Sequence, residues 1–561
     1  MKLEELDIDP RIKAIIANKG ISELYPPQIE ALEHVLQGKN VVLAIPTASG
    51  KSLVAYIGML KRALEGKKAL YIVPLRALAS EKYDELKEFE SLGLKVGKTV
   101  GDFDAPDPEL QKLDIIVATS ERADSLMRHK SDWMYEIGVV VADEVHLIND
   151  ASRGPTLEVT LVRLRELNPD AQFIALSATI KNSIEIADWL QARHIKSAWR
   201  PVSLKEGVFL DDAIHFTDGT KKKLEPSSNE LCTLVCDTVK DGGQIMVFVN
   251  TRKSSESSAD NIAKVLRKNV LSKEELESLA ELGTRLEATE DEPTSTGARL
   301  VKCVQGGTAF HNAGLTDNQR RLIERSFRDR IIKCIAATPT LAAGINLPAR
   351  RVVVRDTTRF DANYGNVPIP VMEVKQMCGR AGRPQFDPYG EAVLVAKNRG
   401  AKARLMEDYL LGEPESITSK LGTETALRSH MLATIATGYA KNREELMAFI
   451  DKSFFAHQTD VWTIEGLIDR MLEFLEASGL ITVDYEEYKA TMFGKRTSDL
   501  YIDPLSAVMM KSAIDRSESI KTDELVLAPL HRVAANVFYI EQLYDRAIVR
   551  PLLWLSRRVL W

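Results

Sequence analysis

Asn40-Val41-Val42-Leu43-Ala44-Ile45-Pro46-Thr47-Ala48-Ser49-Gly50-Lys51-Ser52 joins an apolar, β-branched run to a short loop and a Gly-Lys-Ser that opens a helical pattern. The run lacks polar alternation, as a parallel strand buried on both faces does. A loop between such a strand and a helix turns backbone N–H groups and a helix N-terminus toward an anion. Lys51 would then reach the β- and γ-phosphates of a nucleotide, and the Ser52 hydroxyl would bind Mg²⁺. The stretch departs from the general phosphate-loop pattern, with Ile45 in place of the first Gly and Pro46-Thr47-Ala48 in the middle. A strand-to-helix turn with a chance Gly-Lys-Ser is the competing reading, so the stretch persuades mainly through its company.

That company begins with Asp143-Glu144-Val145-His146, which ends the apolar run Val139–Ala142. A parallel sheet binds ligands at the carboxyl ends of its strands. There Asp143 can hold Mg²⁺ and Glu144 can orient and deprotonate an attacking water. The bland alternative is a solvated helix start favoured by the macrodipole. Ser177-Ala178-Thr179 follows another buried run, Phe173–Leu176, and is a candidate relay; His146 is read as a polar link to that loop or to a second domain. Far along the chain, Gln376-Met377-Cys378-Gly379-Arg380-Ala381-Gly382-Arg383 carries two arginines at i, i+3, each directly preceded by Gly. Arginine supplied across a cleft stabilises a transferring phosphoryl group, so Gln376, Arg380 and Arg383 join Lys51, Asp143 and Glu144 as catalytic candidates.

Around these motifs, strands are expected at 40–45, 69–73, 114–118, 138–142 and 172–176, with helices at 53–64 and 80–89, a βα alternation that predicts a doubly wound α/β domain. A second α/β domain is predicted from runs at 245–249, 308–311, 333–337, 351–355 and 391–395, with a charged helical stretch at 261–287 and a surface loop at 288–297. Beyond about residue 397 the pattern turns helical. Ile464, Leu467, Ile468, Met471, Leu472 and Leu475 form one helix face, and short strands follow at 480–483 and 485–492. A winged-helix module and a generic helical cap both fit.

The chain of 561 residues is long enough for three or four domains. Its 45% apolar and 27% charged residues are ordinary for a globular protein, and a net charge of −6 neither advertises nor excludes a nucleic-acid partner. The five cysteines form no CxxC pair, which favours a reducing compartment over disulfides or structural zinc. The N-terminus has no signal-peptide pattern and no run is long enough to span a bilayer, so a cytoplasmic protein without a membrane is expected.

Together the motifs resemble superfamily 2 helicases of the superkiller-like, DEVH-box class, and most closely the archaeal Hjm-type DNA helicases. The resemblance runs from about Leu24 to about Arg546. It implies two tandem RecA-like α/β domains (1–200 and 201–400), a winged-helix domain (401–500) and the start of a helical ratchet domain (501–561). Leu24-Tyr25-Pro26-Pro27-Gln28 resembles the family's adenine-reading motif, so Gln28 joins Pro46, Thr47, Ala48, Ser49, Gly50, Lys51, Ser52, Gly344 and Asn346 as expected ATP-binding residues. Pro74–Ala79, Gly101-Asp102, Ala118–Arg122, Val247–Arg252, Phe310–Leu315 and Ala337–Pro348 resemble strand-gripping motifs. By that resemblance Arg76, Thr119, Thr251, Arg252 and Thr338 hold the DNA backbone, which fixes a strand without reading its sequence.

The family's strand-separating hairpin falls at Arg355–Pro370, where Phe360 and Tyr364 are placed to stack on bases. Tyr501–Ala507 resembles the entry to the ratchet domain; the apolar, basic stretch 547–561 matches nothing in the family and is expected to be a truncated or frame-disturbed tail. The implied function is an ATP- and Mg²⁺-dependent 3′–5′ helicase or translocase, a monomer on single-stranded or forked DNA. Replication or recombination proteins in the archaeal cytoplasm or nucleoid would be its partners. An RNA helicase of the same superfamily and an ATP-gated nucleic-acid clamp that does not unwind remain the alternatives.

Overall fold

The computed structural model describes residues 2–517 except 48, 101–107, 130, 290–293, 340–346, 362–364 and 385. Ala48, Gly101-Asp102, Gly344, Asn346, Tyr364 and the stretch 547–561 therefore lie outside the described residues.

The first sheet comprises β1 (Val41–Ala44), β2 (Lys68–Val73), β3 (Val96–Thr99), β4 (Ile115–Thr119), β5 (Ile137–Ala142), β6 (Gln172–Ser177) and β7 (Arg193–Lys196). They pair in the order β3-β4-β2-β5-β6-β1-β7, every pair parallel. Successive residues of one strand serve opposite cores: Val41 and Leu43 pack with Ala69, Tyr71 and Val141, whereas Val42 packs with Leu70, Ile72 and Val140. Burial on both faces is why these strands read as unbroken apolar runs. β3 and β7 escaped the sequence reading because they are edge strands with polar positions such as Lys98, Arg193 and Lys196.

The chain passes from β7 to β8 (Ser203–Leu210), β9 (Ala213–Phe216) and β10 (Lys221–Lys223), and then to β11 (Ile245–Phe248), β12 (Thr308–His311), β13 (Cys334–Ala337) and β14 (Arg351–Val354). After β14 come a hairpin of β15 (Thr358–Asp361) with β16 (Gly365–Pro368), and β17 (Tyr389–Val395). The second sheet has the order β10-β9-β8-β17-β14-β11-β13-β12. Its parallel strands β17, β14, β11, β13 and β12 are the expected α/β core; the parallel β8 and the antiparallel β9 and β10 were not expected, since β8 opens on polar residues and the β8–β9 pairing is set by the tight turn at Asp211-Asp212 (φ 51° and 55°) rather than by an apolar run. The charged helical stretch expected at 261–287 falls on two helices, Arg252–Asn269 and Lys273–Glu287, separated by a new N-cap in which Ser272 and Glu275 form a capping box. The expected loop at 288–297 ends early, because Thr294 caps a helix over Ser295–Val304.

Residues Arg399–Leu410 stay with the second domain: Leu405, Tyr409 and Leu410 join its core, and the Tyr409 hydroxyl donates to the Ile369 carbonyl. The third unit follows. Its helix Val461–Ala477 buries Ile464, Ile468, Met471, Leu472 and Leu475, capped by Asp460. A hairpin of β18 (Ile481–Asp484) and β19 (Glu487–Ala490) turns on Tyr485-Glu486, both at positive φ, as a two-residue turn of this hand requires. The second strand is thus shorter than expected, and a helix begins at Met492. Helix followed by hairpin is the winged-helix arrangement.

This unit does not stand on a separate core. Leu427, Met431, Phe449, Phe454 and Ile468 belong to the same apolar cluster as Val162, Phe173 and Trp189 of the first domain. Polar side chains are buried with them. Arg163, fully buried, pairs with Asp124 at 2.8 Å, donates to Thr434 and lies over the Tyr439 and Phe449 rings. Glu158, also fully buried, accepts from the Ser419 hydroxyl at 2.6 Å and the Phe455 N–H at 2.7 Å.

Burial pushes the Glu158 carboxyl up to about 7, only partly opposed by those hydrogen bonds. Its folded value lies above its unfolded one, so its contribution to stability is complete at low pH and fades as pH rises toward and through about 7. Glu158→Gln keeps an acceptor for Phe455 and supplies a donor to Ser419 without the charge. The variant is expected to melt higher than the parent at pH 8, by up to about 3 kcal/mol of stability, and to lose the decline between about pH 5 and pH 8, most of which falls below pH 7. Thermal melts at both pH values check this; an unchanged slope rules it out. Among the described residues no helix is long and apolar enough to cross a membrane.

Candidate active site between the two sheets

β1, β6 and β5 are adjacent, and each ends on a motif: β1 on the phosphate loop, β6 on Ser177, β5 on Asp143. Register puts Ala44 beside Ser177 and Ala142 beside Ala175, so the three motifs emerge on one sheet edge.

In the phosphate loop Gly50 sits at φ +75° immediately before the helix Lys51–Leu64. A Cβ there would meet Gln28 Nε2 at 2.2 Å, so both conformation and space demand Gly. Gln28 braces the loop: its Nε2 donates to the Gly50 carbonyl at 3.0 Å, while its Oε1 accepts from the Tyr25 N–H at 2.8 Å. The Ser49 hydroxyl donates to the Trp199 carbonyl, and Arg200 donates to the carbonyls of Gly379 and Ala381. The segment joining the two domains thus touches both the phosphate loop and the arginine motif.

Lys51 Nζ is buried, makes no hydrogen bond and faces Glu144 Oε2 at 3.7 Å. A buried ammonium in that condition fits a phosphate oxygen. Asp143 is buried, and the Tyr71 hydroxyl donates to its Oδ2 at 2.8 Å. The Ser52 hydroxyl and the Asp143 carboxylate are hard oxygen donors that fit Mg²⁺ shared with nucleotide phosphates. Glu144 is the non-glycine residue in the left-handed region here, at φ 51°, ψ 44°. This turn leaves the Glu144 carboxylate facing Lys51 and His146. Its side chain remains one-fifth exposed, open to water. Burial raises the Asp143 carboxyl, reinforced by the charge of Glu144; for Glu144 burial is outweighed by Lys51, His146, Arg380 and Lys82. An ionised Glu144 is the state a general base requires.

His146 is the link expected of it. Its Nδ1 lies 3.4 Å from the Ala178 N–H and 3.4 Å from Glu144 Oε2, and its Nε2 is 2.7 Å from the Gln376 carboxamide, 230 residues away. With Nδ1 accepting from Ala178, Nε2–H donates and Gln376 presents its oxygen; with Nδ1–H toward Glu144, Nε2 accepts from the Gln376 amide. Burial lowers the ring to about 4, so it works neutral. Ser177 Oγ and Thr179 Oγ1 beside it are buried without a hydrogen-bond partner.

The two arginines part company. Arg380 is buried and its charge acts on Glu144 and Glu81 of the first domain. Arg383, expected at the same cleft, is committed elsewhere: a bidentate pair with Asp387 at 2.7 Å and a bond to Gln244 hold it inside the second domain. It follows Gly382 at φ +94°, which turns the chain away after Arg380.

The expected DNA-contacting residues lie at or just past the carboxyl ends of strands: Arg76 after β2, Thr119 at the end of β4, Thr251 and Arg252 after β11, Thr338 after β13. Arg76, Thr251 and Arg252 are exposed. Thr119 and Thr251 already serve as N-caps, accepting from Arg122 and Ser254. Phe360 is 74% exposed on the β15–β16 hairpin, whose base is fixed by the Ile369–Thr357 backbone bond and by Arg359–Glu373 at 2.9 Å.

Tyr71 and Lys82 were missed. The signal for Lys82 was present: it falls on the apolar face Leu78, Ala79, Leu86 of the helix Arg76–Lys87, where a lysine is out of place without a partner.

The chain matches three families: DEAD/DEAH box helicase over residues 25–187, helicase conserved C-terminal domain over 296–385, and a helix-turn-helix domain over 390–482. Among curated proteins it is 50% identical to the ATP-dependent DNA helicase Hel308 of Methanocella arvoryzae, over 96% of this chain and 73% of that protein. It is 46% identical to Hel308 of Pyrococcus horikoshii, over 92% of this chain and 71% of that protein. To Hel308 of Pyrobaculum calidifontis it is 42% identical, over 90% and 71%.

Proposed function

The chain belongs to the Hel308 family of ATP-dependent DNA helicases, and from that premise we propose that it couples ATP hydrolysis at the Lys51–Glu144–Arg380 cleft to 3′–5′ movement along one DNA strand. It is an ATP-dependent DNA helicase with two RecA-like domains and a winged-helix domain. The observation that carries the coupling is the His146–Gln376 bond, which ties the residue next but one to the general base Glu144 to the helix Val371–Cys378 that leads into Arg380 of the other domain.

In this reading the backbone N–H groups of Ser49–Ser52 and the Lys51 ammonium bind the β- and γ-phosphates. Ser52 and Asp143 hold Mg²⁺, which supplies charge neutralisation to the phosphates when bound. Glu144 takes the proton of the attacking water. Arg380 meets the charge that develops on the transferring phosphoryl group from the second domain. Loss of that charge after hydrolysis leaves Arg380 and Gln376 less reason to hold the domains together, and the strand contacts at Thr119, Thr251 and Thr338 shift with them.

Forked DNA is the substrate, with Phe360 at the junction and the protein acting as a monomer in the cytoplasm, at stalled replication forks or in recombination. Strand displacement on forks with a single 3′ or 5′ tail tests the polarity: unwinding only from the 5′ tail overturns it. Phe360→Ala should lower strand displacement about tenfold, the worth of one base–aromatic stack, while leaving ATPase stimulation by single-stranded DNA within about twofold. Equal loss of both would make Phe360 a structural residue.

A further inference from the structure

Lys82 is a charged side chain in the nucleotide site that the mechanism above does not use. It is 6% exposed, and its ammonium donates to Ser52 Oγ at 3.2 Å and to Glu85 Oε2 at 3.4 Å, with Glu81 Oε1 at 3.6 Å. Glu85 in turn accepts from the Tyr56 hydroxyl, and the Tyr56 ring packs against Tyr71, which holds Asp143. Ser52 and Asp143 are the two residues assigned to the metal. We propose that Lys82 is a built-in competitor of the divalent cation, holding the Ser52 hydroxyl so that metal enters only with a nucleotide.

The physical reason is one of charge and lone pairs. A protonated amine within hydrogen-bond distance of Ser52 Oγ occupies one of that oxygen's two acceptor positions. It also supplies positive charge to the carboxylates that would otherwise attract a cation. Glu85 at 3.4 Å and Glu81 at 3.6 Å hold the ammonium in this place. A bare divalent ion must displace that ammonium against like-charge repulsion. An ion arriving with a nucleotide brings phosphate charge that repays the displacement. Glu81 and Glu85, one helical turn apart on the same helix, are the carboxylates to which the displaced ammonium turns.

This inference rests on the assignment of Ser52 and Asp143 to the metal, and the experiment separates the two. Mn²⁺ binding to the full chain is measured by electron paramagnetic resonance, without nucleotide and with ADP. The parent should bind Mn²⁺ weakly without nucleotide and tightly with ADP. Lys82→Met should bind Mn²⁺ without nucleotide at least about tenfold more tightly, since the removed charge touches a metal ligand. The double variant Lys82→Met/Glu85→Gln keeps the net charge of the parent and removes a buried pair together, which protects folding; it should show the same tightening. Parent-like affinity in the double variant would mean that net charge, not the ammonium on Ser52, sets metal binding, and would overturn the proposal. Affinities within twofold for all three proteins would overturn it as well. Failure of the parent to bind Mn²⁺ beyond free ADP would remove the metal assignment and the proposal with it.

Discussion

Glu144→Gln is expected to abolish ATP turnover in practical terms, by on the order of 10²- to 10⁴-fold, while nucleotide binding stays within a few-fold of the parent. The substitution is nearly isosteric, so the left-handed turn at φ 51° and the contacts to Lys51 and His146 can persist. What is lost is the carboxylate charge, and with it the acceptor for the water's proton. Lys51 no longer faces a carboxylate at 3.7 Å, so its ammonium is freer to serve a phosphate. Single-turnover hydrolysis beside fluorescent-ADP titration gives the two readouts. Turnover above about a tenth of the parent's would show that the water is activated elsewhere.

Lys51→Ala has the second largest effect, and it falls on binding. A charge-assisted bond to a phosphate is worth ~1.5–3 kcal/mol, so nucleotide affinity should drop about 10- to 150-fold. A second consequence distinguishes this variant. After burial, the Lys51 charge is the strongest influence on Glu144, and it lowers that carboxyl. Without it the folded value rises, so Glu144 becomes ionised only at higher pH. The acid limb of residual ATPase at saturating nucleotide should therefore move toward alkaline pH. An unmoved limb with weakened binding would leave Lys51 a phosphate ligand alone.

Much of this protein is legible along the chain, and the reason is local. A strand buried on both faces announces itself by an apolar run, as in Val139–Ala142, and a parallel sheet puts its chemistry where such runs end. Gly50 had to be Gly, and a Gly-Lys-Ser after such a run had few other uses. The amphipathic face from Ile464 to Leu475 declared the third unit's helix. The edge strands β3, β7 and β10 were silent because half-exposed strands carry polar residues, and β8 and β9 because their pairing comes from a turn and from neighbours rather than from a long apolar run.

The sequence alone thus determined the α/β class and the central strands of the two sheets, and it offered candidate residues for the motor, since each depends on patterns within about ten neighbouring residues. The tertiary structure alone decided which of those residues meet. It set Gln376 on His146, turned Arg383 to Asp387 and left Arg380 to the cleft. It brought Lys82 onto Ser52 and fused the winged-helix unit to the first domain around Glu158 and Arg163. A buried charge takes as its partner whatever the packing brings within hydrogen-bond distance. For residues separated by tens to hundreds of positions, that choice is made by the joint geometry of the sheets and helices and leaves no trace in local periodicity.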